Sequence, residues 1–378
     1  MGSLVNSRVL VTGANGFIGK NLVVRLNELS NVTVSTFVRG DSTARLQQMV
    51  AESDAVVHLA GVNRPTDEYA FARVNAGLTS LLCDAIQKEF DSTGRFVPMV
   101  LASSTQAEYE NPYGRSKLKA EQAVQALAKA TSNPCMIFRL PGVFGKWCKP
   151  NYNSVIATFC HNLARDLPIN INYPSATVRL VYVDDVVSAI LKALVVPAPG
   201  CVLGDVDPEY SIPLGELASQ LRAFANCRTT LMSERVGTGL VRALYATYVS
   251  NLPHEKFAYE VPKYADPRGV FVEMLKTPDS GQFSYFTAHP GITRGGHYHH
   301  TKSEKFLVIK GEALFRFRHL LTDELVELRT SGTAAQVVDT IPGWTHDITN
   351  VGNDEMVVML WANEKFDRQK QDTVVSKV

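Results

Sequence analysis

Near its N-terminus the chain carries a short apolar strand that runs directly into a glycine-rich turn, Val9-Leu10-Val11-Thr12-Gly13-Ala14-Asn15-Gly16-Phe17-Ile18-Gly19, and few folds accommodate that join. A strand that feeds a helix through such a turn aims unpaired backbone amides and the positive end of the helix dipole at one point, a seat for a pyrophosphate. Each glycine has its own task. Gly13 permits the tight turn, Gly16 lets the backbone approach a phosphate, and Gly19 lets helix and strand pack closely. Three spaced glycines also occur in ordinary loops, but the strand before them and the amphipathic helix after them supply the context that the motif requires. Asn15, Phe17 and Ile18 lie in the same turn and are expected to line a bound dinucleotide with the glycines.

Short β-branched runs at Arg8 to Thr12, Val32 to Val38, Ala55 to Leu59 and Phe96 to Ala102 alternate with segments of helical spacing at Lys20 to Leu29, Val74 to Phe90 and Ser116 to Ala130. That rhythm predicts a parallel sheet with crossover helices, an α/β Rossmann arrangement. At the end of the second strand, where an acid grips the adenosine ribose of NAD, the chain reads Thr36-Phe37-Val38-Arg39-Gly40. Arg39 suits a 2′-phosphate, so NADPH is the expected cofactor, with Asp41 close enough to keep NAD open and a solvated surface arginine as the plain alternative.

With 378 residues the chain exceeds what one hydrophobic core organises, so two domains are expected. The middle, from Pro141 to Ser250, is less periodic and keeps a strand from Arg179 to Val183 that runs into a helix begun at Asp184 or Asp185. After His254 the texture changes to short alternating strands separated by Gly, Pro, Asn and Asp, an all-β jelly roll or barrel. The expected division is therefore 1–253 and 254–378, with a charged tail, Asn363 to Val378, that frays. A net charge of +1 offers no basic field for nucleic acid, and no apolar run is long enough to insert in a bilayer. Six cysteines without framework spacing, together with a start that lacks a secretory charge pattern, point to a reducing cytoplasm.

Leu101-Ala102-Ser103-Ser104 ends a strand, and Tyr113-Gly114-Arg115-Ser116-Lys117 opens a helix. A tyrosine hydroxyl can protonate an alkoxide, a nearby ammonium can acidify that hydroxyl, and a serine can polarise a carbonyl. One helical turn separates Tyr113 from Lys117, so both can face one cleft. Alone, YxxxK is a common surface pattern; here it follows the glycine turn and the serine strand. Over roughly the first 250 positions the chain resembles the extended short-chain dehydrogenase/reductase family. The resemblance makes Ser104, Tyr113 and Lys117 the catalytic set. It adds Tyr113, Lys117, Leu59 and Ala60, from Asp54-Ala55-Val56-Val57-His58-Leu59-Ala60-Gly61, to the cofactor site, and it makes Asn75 the family's structural asparagine. Ser103 and Thr105 remain alternatives to Ser104, because a shift of one residue reverses the face of a strand. Ser104 also lies only nine positions before Tyr113, a shorter loop than most such enzymes carry. Arg139-Leu140-Pro141-Gly142-Val143-Phe144-Gly145 and Val181-Tyr182-Val183-Asp184-Asp185-Val186 resemble segments that frame a nucleotide-sugar pocket, and Arg179 could grip a diphosphate or pair with Asp184 or Asp185.

In the second half, Gly296-His297-Tyr298-His299-His300-Thr301-Lys302-Ser303-Glu304 is followed by Gly311, and Ile341-Pro342-Gly343-Trp344-Thr345-His346 comes later. Strand alternation points His297 and His299 the same way. His297, His299, Glu304 and His346 suit one divalent metal, zinc, iron, nickel or manganese, with zinc preferred. Solvated or interface histidines are the alternative. The two-part spacing resembles the cupins from about Val261 to Phe366, and Asp266-Pro267-Arg268-Gly269 is similar to the first strand of their sugar-nucleotide epimerases.

Reductase followed by cupin, with Asn111-Pro112-Tyr113-Gly114 and His297 to Lys302, closely resembles the bifunctional capsular-polysaccharide and O-antigen enzymes that act on UDP-2-acetamido-2,6-dideoxy-L-hexos-4-ulose. The resemblance implies epimerisation at C3 in the cupin, then NADPH-dependent reduction of the C4 ketone to UDP-2-acetamido-2,6-dideoxy-L-talose, on the way to N-acetyl-L-fucosamine. A UDP-linked 4-keto-6-deoxy sugar is the expected partner, and a homodimer the expected assembly. Tyr298, His300, Lys302, Lys305 and Asp347 are open as the epimerising base. A purely structural metal, a reductase of another keto-sugar nucleotide, and a sugar-sensing scaffold without turnover are the competing readings.

Overall fold

The structure, a computed structural model, describes residues 7–63, 70–197, 199–365, 369 and 372–378. The chain divides into two compact units, Met1–Leu221 with Ala243–Leu252, and Arg222–Arg242 with Pro253–Val378. Arg222–Arg242, expected within the first domain, groups with the second because Met232 bridges Lys276 and the backbone of Leu231 and Ser233 exchanges hydrogen bonds with Lys276.

The first unit runs β1 (Ser7–Thr12), α1 (Phe17–Asn27), β2 (Val32–Phe37), α2 (Thr43–Ala51), β3 (Ala55–His58), α3 (Leu78–Thr93), β4 (Met99–Ser104), α4 (Pro112–Thr131), β5 (Cys135–Leu140), β6 (Gly142–Phe144), β7 (Thr177–Tyr182), β8 (Cys201–Gly204) and β9 (Glu209–Pro213). Its main sheet is parallel, in the order β2-β1-β3-β4-β5-β8. Val9, Leu10, Val11, Val56 and Val57 are buried, as continuous apolar strands must be when helices cover both faces. Leu46, Leu82, Ile86 and Val124 pack one face, and Leu22, Leu26, Val187 and Ile190 the other. The order also fixes where a ligand fits. From β1 the chain goes out to β2 and crosses back to β3, so a crevice opens at the C-terminal ends of β1 and β3.

The second unit contains β10 (Lys263–Asp266), β11 (Gly269–Lys276), β12 (Gln282–Ala288), β13 (Thr293–Tyr298), β14 (Glu304–Lys310), β15 (Glu312–His319), β16 (Leu325–Ser331), β17 (Val337–Asp339), β18 (Trp344–Asn350), β19 (Met356–Ala362) and β20 (Val374–Val375). They form two antiparallel sheets, β10-β11-β12-β19-β14-β17 and β16-β15-β18-β13-β20, the double sheet of a cupin. Phe286, Phe306, Phe315, Ile348 and Val358 fill the space between. The expectation of a frayed tail is overturned at its far end: Val374 and Val375 pair with Tyr298 and His297, and the Ser376 amide donates to the Gly296 carbonyl at 2.9 Å. Phe366, the expected end of the cupin, lies outside the described residues. No helix among the described residues is long and apolar enough to cross a membrane.

Candidate active site and metal centre

At Gly13 the backbone turns through φ +72°, and a Cβ there would lie 2.6 Å from the Ala60 amide nitrogen. Only a glycine lets the turn after β1 pass so close to Leu59 and Ala60. At Gly19 a Cβ would collide with the Gly13 carbonyl, so this glycine sets the approach of α1 to the turn. Asn15 and Gly16 are left exposed and Phe17 and Ile18 half-buried, the disposition of a backbone cradle facing a ligand. A cleft of about 490 Å³ opens beside it, lined in part by Ala14, Asn15, Lys20, Thr36, Val38 and Trp147. The Asp41 carboxylate accepts from the Val38 amide at 2.8 Å and closes the turn after β2, in which Arg39 stands exposed.

Behind the cradle lies a buried polar relay that the sequence reading did not single out. His58 Nδ1 meets Thr12 Oγ1 at 2.6 Å, and Thr12 Oγ1 also accepts from the Ala60 amide at 3.3 Å. On its other side His58 Nε2 meets Thr79 Oγ1 at 2.8 Å, and that hydroxyl donates to the Asn75 carbonyl. Burial, with the nearby Lys117 charge, pushes the His58 ring down to about 3, so it stays neutral and can link two hydroxyls. Asn75 sits in a π-helical turn, Phe71–Gly77, and its amide holds Val62 N and O at 2.8 and 3.0 Å and Ser116 Oγ at 2.9 Å. The wider π turn seats this side chain between the β3 loop and α4.

Tyr113 occupies the first turn of α4, where Asn111 caps the helix by accepting from the Gly114 amide at 2.8 Å and Pro112 fills the first position. Gly114 is needed here because a side chain would collide with the carbonyls of Gln106 and Tyr109. Burial raises the Tyr113 phenol, and a hydrogen bond with Ser104 pulls the other way. The preceding serine faces elsewhere: Ser103 is buried and donates to Glu121. Strand alternation thus brings Ser104, not Ser103, to Tyr113. Lys117 is buried, donates to the Ala102 carbonyl at 2.9 Å, and is lowered by burial to about 8 against the pull of Glu121. The Lys117 ammonium is turned to the Ala102 carbonyl, and the hydroxyl bonded to Tyr113 is that of Ser104.

Arg139, in a segment expected to frame a sugar pocket, and Arg179, a candidate diphosphate ligand, have protein partners. Arg139 grips the buried Glu121 and also reaches Glu108 at 3.1 Å. Arg179 pairs with Glu209 at 2.6 and 3.0 Å rather than with Asp184 or Asp185, because β7 lies antiparallel to β9 and sets Arg179 opposite Ser211. Asp184 instead takes Lys146 at 2.6 Å.

In the second unit the ligand atoms of His297, His299, Glu304 and His346 all lie within 4.8 Å of one another. β13 carries His297, the turn after it His299, the start of β14 Glu304 and β18 His346. His299 Nε2 stands 3.3 Å and His346 Nε2 3.5 Å from Glu304 Oε2. Burial alone would raise the Glu304 carboxyl, but the His299 and His346 rings and the Lys302 ammonium outweigh it and hold the group well below its ordinary range. Burial and the His346 ring push His297 down to about 4, leaving a neutral imidazole. Neither buried ring nitrogen of His346 makes a hydrogen bond, and a metal would take up Nε2, the one that faces Glu304. The residues present therefore fit a divalent ion with nitrogen and oxygen ligands.

Of the five residues open as base, Lys302 reaches this cluster, with Nζ 2.7 Å from Glu304 Oε1. Asp347 faces away from His346 by strand alternation and is gripped by Arg316 at 3.0 and 2.6 Å. Lys305 pairs with Asp339 beside the sheet edge, and Tyr298 and His300 pack on each other.

Residues 9–202 match the NAD dependent epimerase/dehydratase family, and residues 264–374 the polysaccharide biosynthesis C-terminal domain. Fold and first site thus define an epimerase/dehydratase-type Rossmann protein, a class that implies a nicotinamide cofactor, joined to a cupin. More narrowly, the chain belongs to the family of UDP-2-acetamido-2,6-beta-L-arabino-hexul-4-ose reductase. It is 55% identical to the protein of that name from Pseudomonas aeruginosa over 98% of this chain and 99% of the other. The crystal structure of capsular polysaccharide assembling protein CapF from Staphylococcus aureus superposes with a TM-score of 0.89 at 39% identity, covering 98% of this chain and 100% of that one. UDP-glucuronic acid 4-epimerase from Bacillus cereus, at 18% identity and a TM-score of 0.54, covers 65% of this chain and 98% of its own, and shares the fold alone.

Proposed function

We propose that this protein is a bifunctional nucleotide-sugar enzyme, expected in the cytoplasm as a homodimer, that acts on UDP-2-acetamido-2,6-dideoxy-L-hexos-4-ulose in capsule or O-antigen synthesis. The cupin epimerises C3, and the Rossmann unit reduces the C4 ketone with NADPH to UDP-2-acetamido-2,6-dideoxy-L-talose. The observation that carries the reading is the pairing of two separate chemical sets, Ser104 with Tyr113 and Lys117 in one unit and three histidines with Glu304 in the other, in a chain 55% identical to a UDP-keto-sugar reductase.

Gly13, Asn15, Gly16, Phe17, Ile18 and Gly19 seat the cofactor pyrophosphate, Arg39 its 2′-phosphate, and Leu59, Ala60, Tyr113 and Lys117 its nicotinamide half. NADPH supplies the hydride. Tyr113, held protonated by burial, gives its proton to the oxygen that becomes an alkoxide, and the Ser104 hydroxyl polarises the same carbonyl. Lys117 keeps a positive charge at the site below about pH 8. In the cupin the ketone acidifies the C3 hydrogen, and a divalent metal such as zinc supplies positive charge that favours its removal. His297, His299, Glu304 and His346 would hold that ion, and Lys302 stands beside it.

Product analysis by NMR with the UDP-4-hexulose tests this. Without NADPH, C3 should exchange with solvent deuterium while the ketone persists; with NADPH, the ketone should vanish and the talose product accumulate. No turnover in either condition would leave a binding scaffold.

A further inference from the structure

We infer that Asp372 is a positioning residue for the metal centre, through which the C-terminal segment latches the turn between His299 and Glu304. The inference rests on the metal-binding reading above and assigns a task to a segment remote from the ligands in sequence.

Two sets of contacts carry it. The Asp372 carboxylate accepts from the amides of His300 at 2.9 Å, Thr301 at 2.7 Å and Lys302 at 2.8 Å, and from the Thr301 hydroxyl at 2.9 Å. Those three residues and Ser303 form the link from His299 to Glu304, so one carboxylate holds most of the path between two ligands. The backbone carbonyl of the same residue accepts from His299 Nδ1. A ring whose Nδ1 carries the proton presents its Nε2 lone pair, and Nε2 is the atom facing Glu304.

The residues that follow anchor the latch. Val374 and Val375 pair with Tyr298 and His297, the Thr345 hydroxyl donates to the Ser376 carbonyl at 2.8 Å, and Arg318 donates to the Lys377 carbonyl at 2.7 Å. The segment thus touches the strand of His297, the turn of His299 and the neighbour of His346. His299 is 2% exposed with the segment in place.

Partners that orient a metal-bound histidine typically account for about ten- to a hundredfold in affinity. The full-length protein and its Asp372→Ala and Asp372→Asn variants should be titrated with cobalt(II) against a competing chelator, following the visible ligand-field bands. Asp372→Ala should bind cobalt about 10- to 100-fold more weakly with altered bands, while NADPH binding stays at the wild-type level. Asp372→Asn, which keeps one acceptor oxygen, should recover part of the loss. Hydrogen exchange of the unaltered protein adds a readout free of any folding defect: cobalt should slow exchange of the Thr301, Lys302 and Ser376 amides, since coupling between metal and latch is reciprocal. A folded Asp372→Ala protein with wild-type affinity and bands, or exchange at these amides indifferent to cobalt, overturns the latch. An unaltered protein that binds no cobalt overturns the metal reading itself.

Discussion

Removing the Glu121 carboxylate should disturb both the stability of the first unit and the pH dependence of its chemistry. Glu121 has no solvent exposure; Arg139 Nε lies 3.0 and 3.1 Å from its two oxygens and another guanidinium nitrogen 2.6 Å away, and Ser103 donates to it as well. Breaking a buried pair by deleting one partner costs about 3–5 kcal/mol, because the other charge is left uncompensated. Arg139 keeps 26% of its side chain exposed and retains Glu108, so the low end applies and Glu121→Ala should cost about 3 kcal/mol. For a unit of this size that lowers the melting temperature by about 6–12 °C. Glu121 also raises Lys117 against the burial that brings it to about 8. Glu121→Gln keeps the volume and one acceptor but removes that pull, so Lys117 should lose its proton at lower pH. If the ammonium is the working form, the alkaline fall of kcat/KM for ketone reduction must begin at lower pH than in the unaltered protein. Differential scanning calorimetry and a pH–rate profile measure the two effects. A Glu121→Ala melt within about 2 °C of the unaltered protein, or an unmoved alkaline limb in Glu121→Gln, would refute the reasoning.

Three further outcomes are expected. Tyr113→Phe should slow NADPH oxidation at least about a hundredfold with cofactor affinity nearly intact, while C3 of the keto-sugar still exchanges deuterium; stopped-flow hydride transfer near the normal rate would remove Tyr113 from the acid role. His299→Ala should lose metal by atomic absorption and with it C3 exchange, whereas a folded, metal-free variant that exchanges C3 at the normal rate would end the metal-dependent epimerase assignment. Arg39→Asp should shift preference toward NADH by about 1 to 2 kcal/mol, and equal efficiency of the unaltered protein with both cofactors would contradict a 2′-phosphate role.

Much of both candidate sites could be read from local pattern. The turn from Val9 to Gly19 combines strand periodicity, glycine and helix onset within one short stretch, so the crevice it lines was legible without any distant contact. Tyr113 and Lys117 are one helical turn apart, and that spacing carries over directly into α4. His297, His299, Glu304 and His346 were recognisable as a set by their residue types and two-part spacing, although β14, which carries Glu304, lies in the opposite sheet from β13 and β18.

Other features depended on partners far away in the chain. Whether Ser103 or Ser104 faces Tyr113 turned on the side of β4 that Glu121 occupies, and no local signal separates two adjacent serines. For Arg179 the pattern left a diphosphate, Asp184 and Asp185 open, and the pairing of β7 with β9 placed Glu209 beside it instead. His58 gave no periodic cue because its two hydroxyl partners come from β1 and α3. The far end of the tail departs from expectation for the same reason: low hydrophobicity predicts fraying, but Asp372 is held by amides 70 to 72 residues earlier, and Val374 and Val375 by a strand edge. Sequence pattern specifies what a segment does with its own neighbours, because helix, strand and turn chemistry act over a few residues. Which buried charge meets which counter-charge, and which acceptor takes up an open amide, is decided only when the sheets bring distant segments within hydrogen-bond reach.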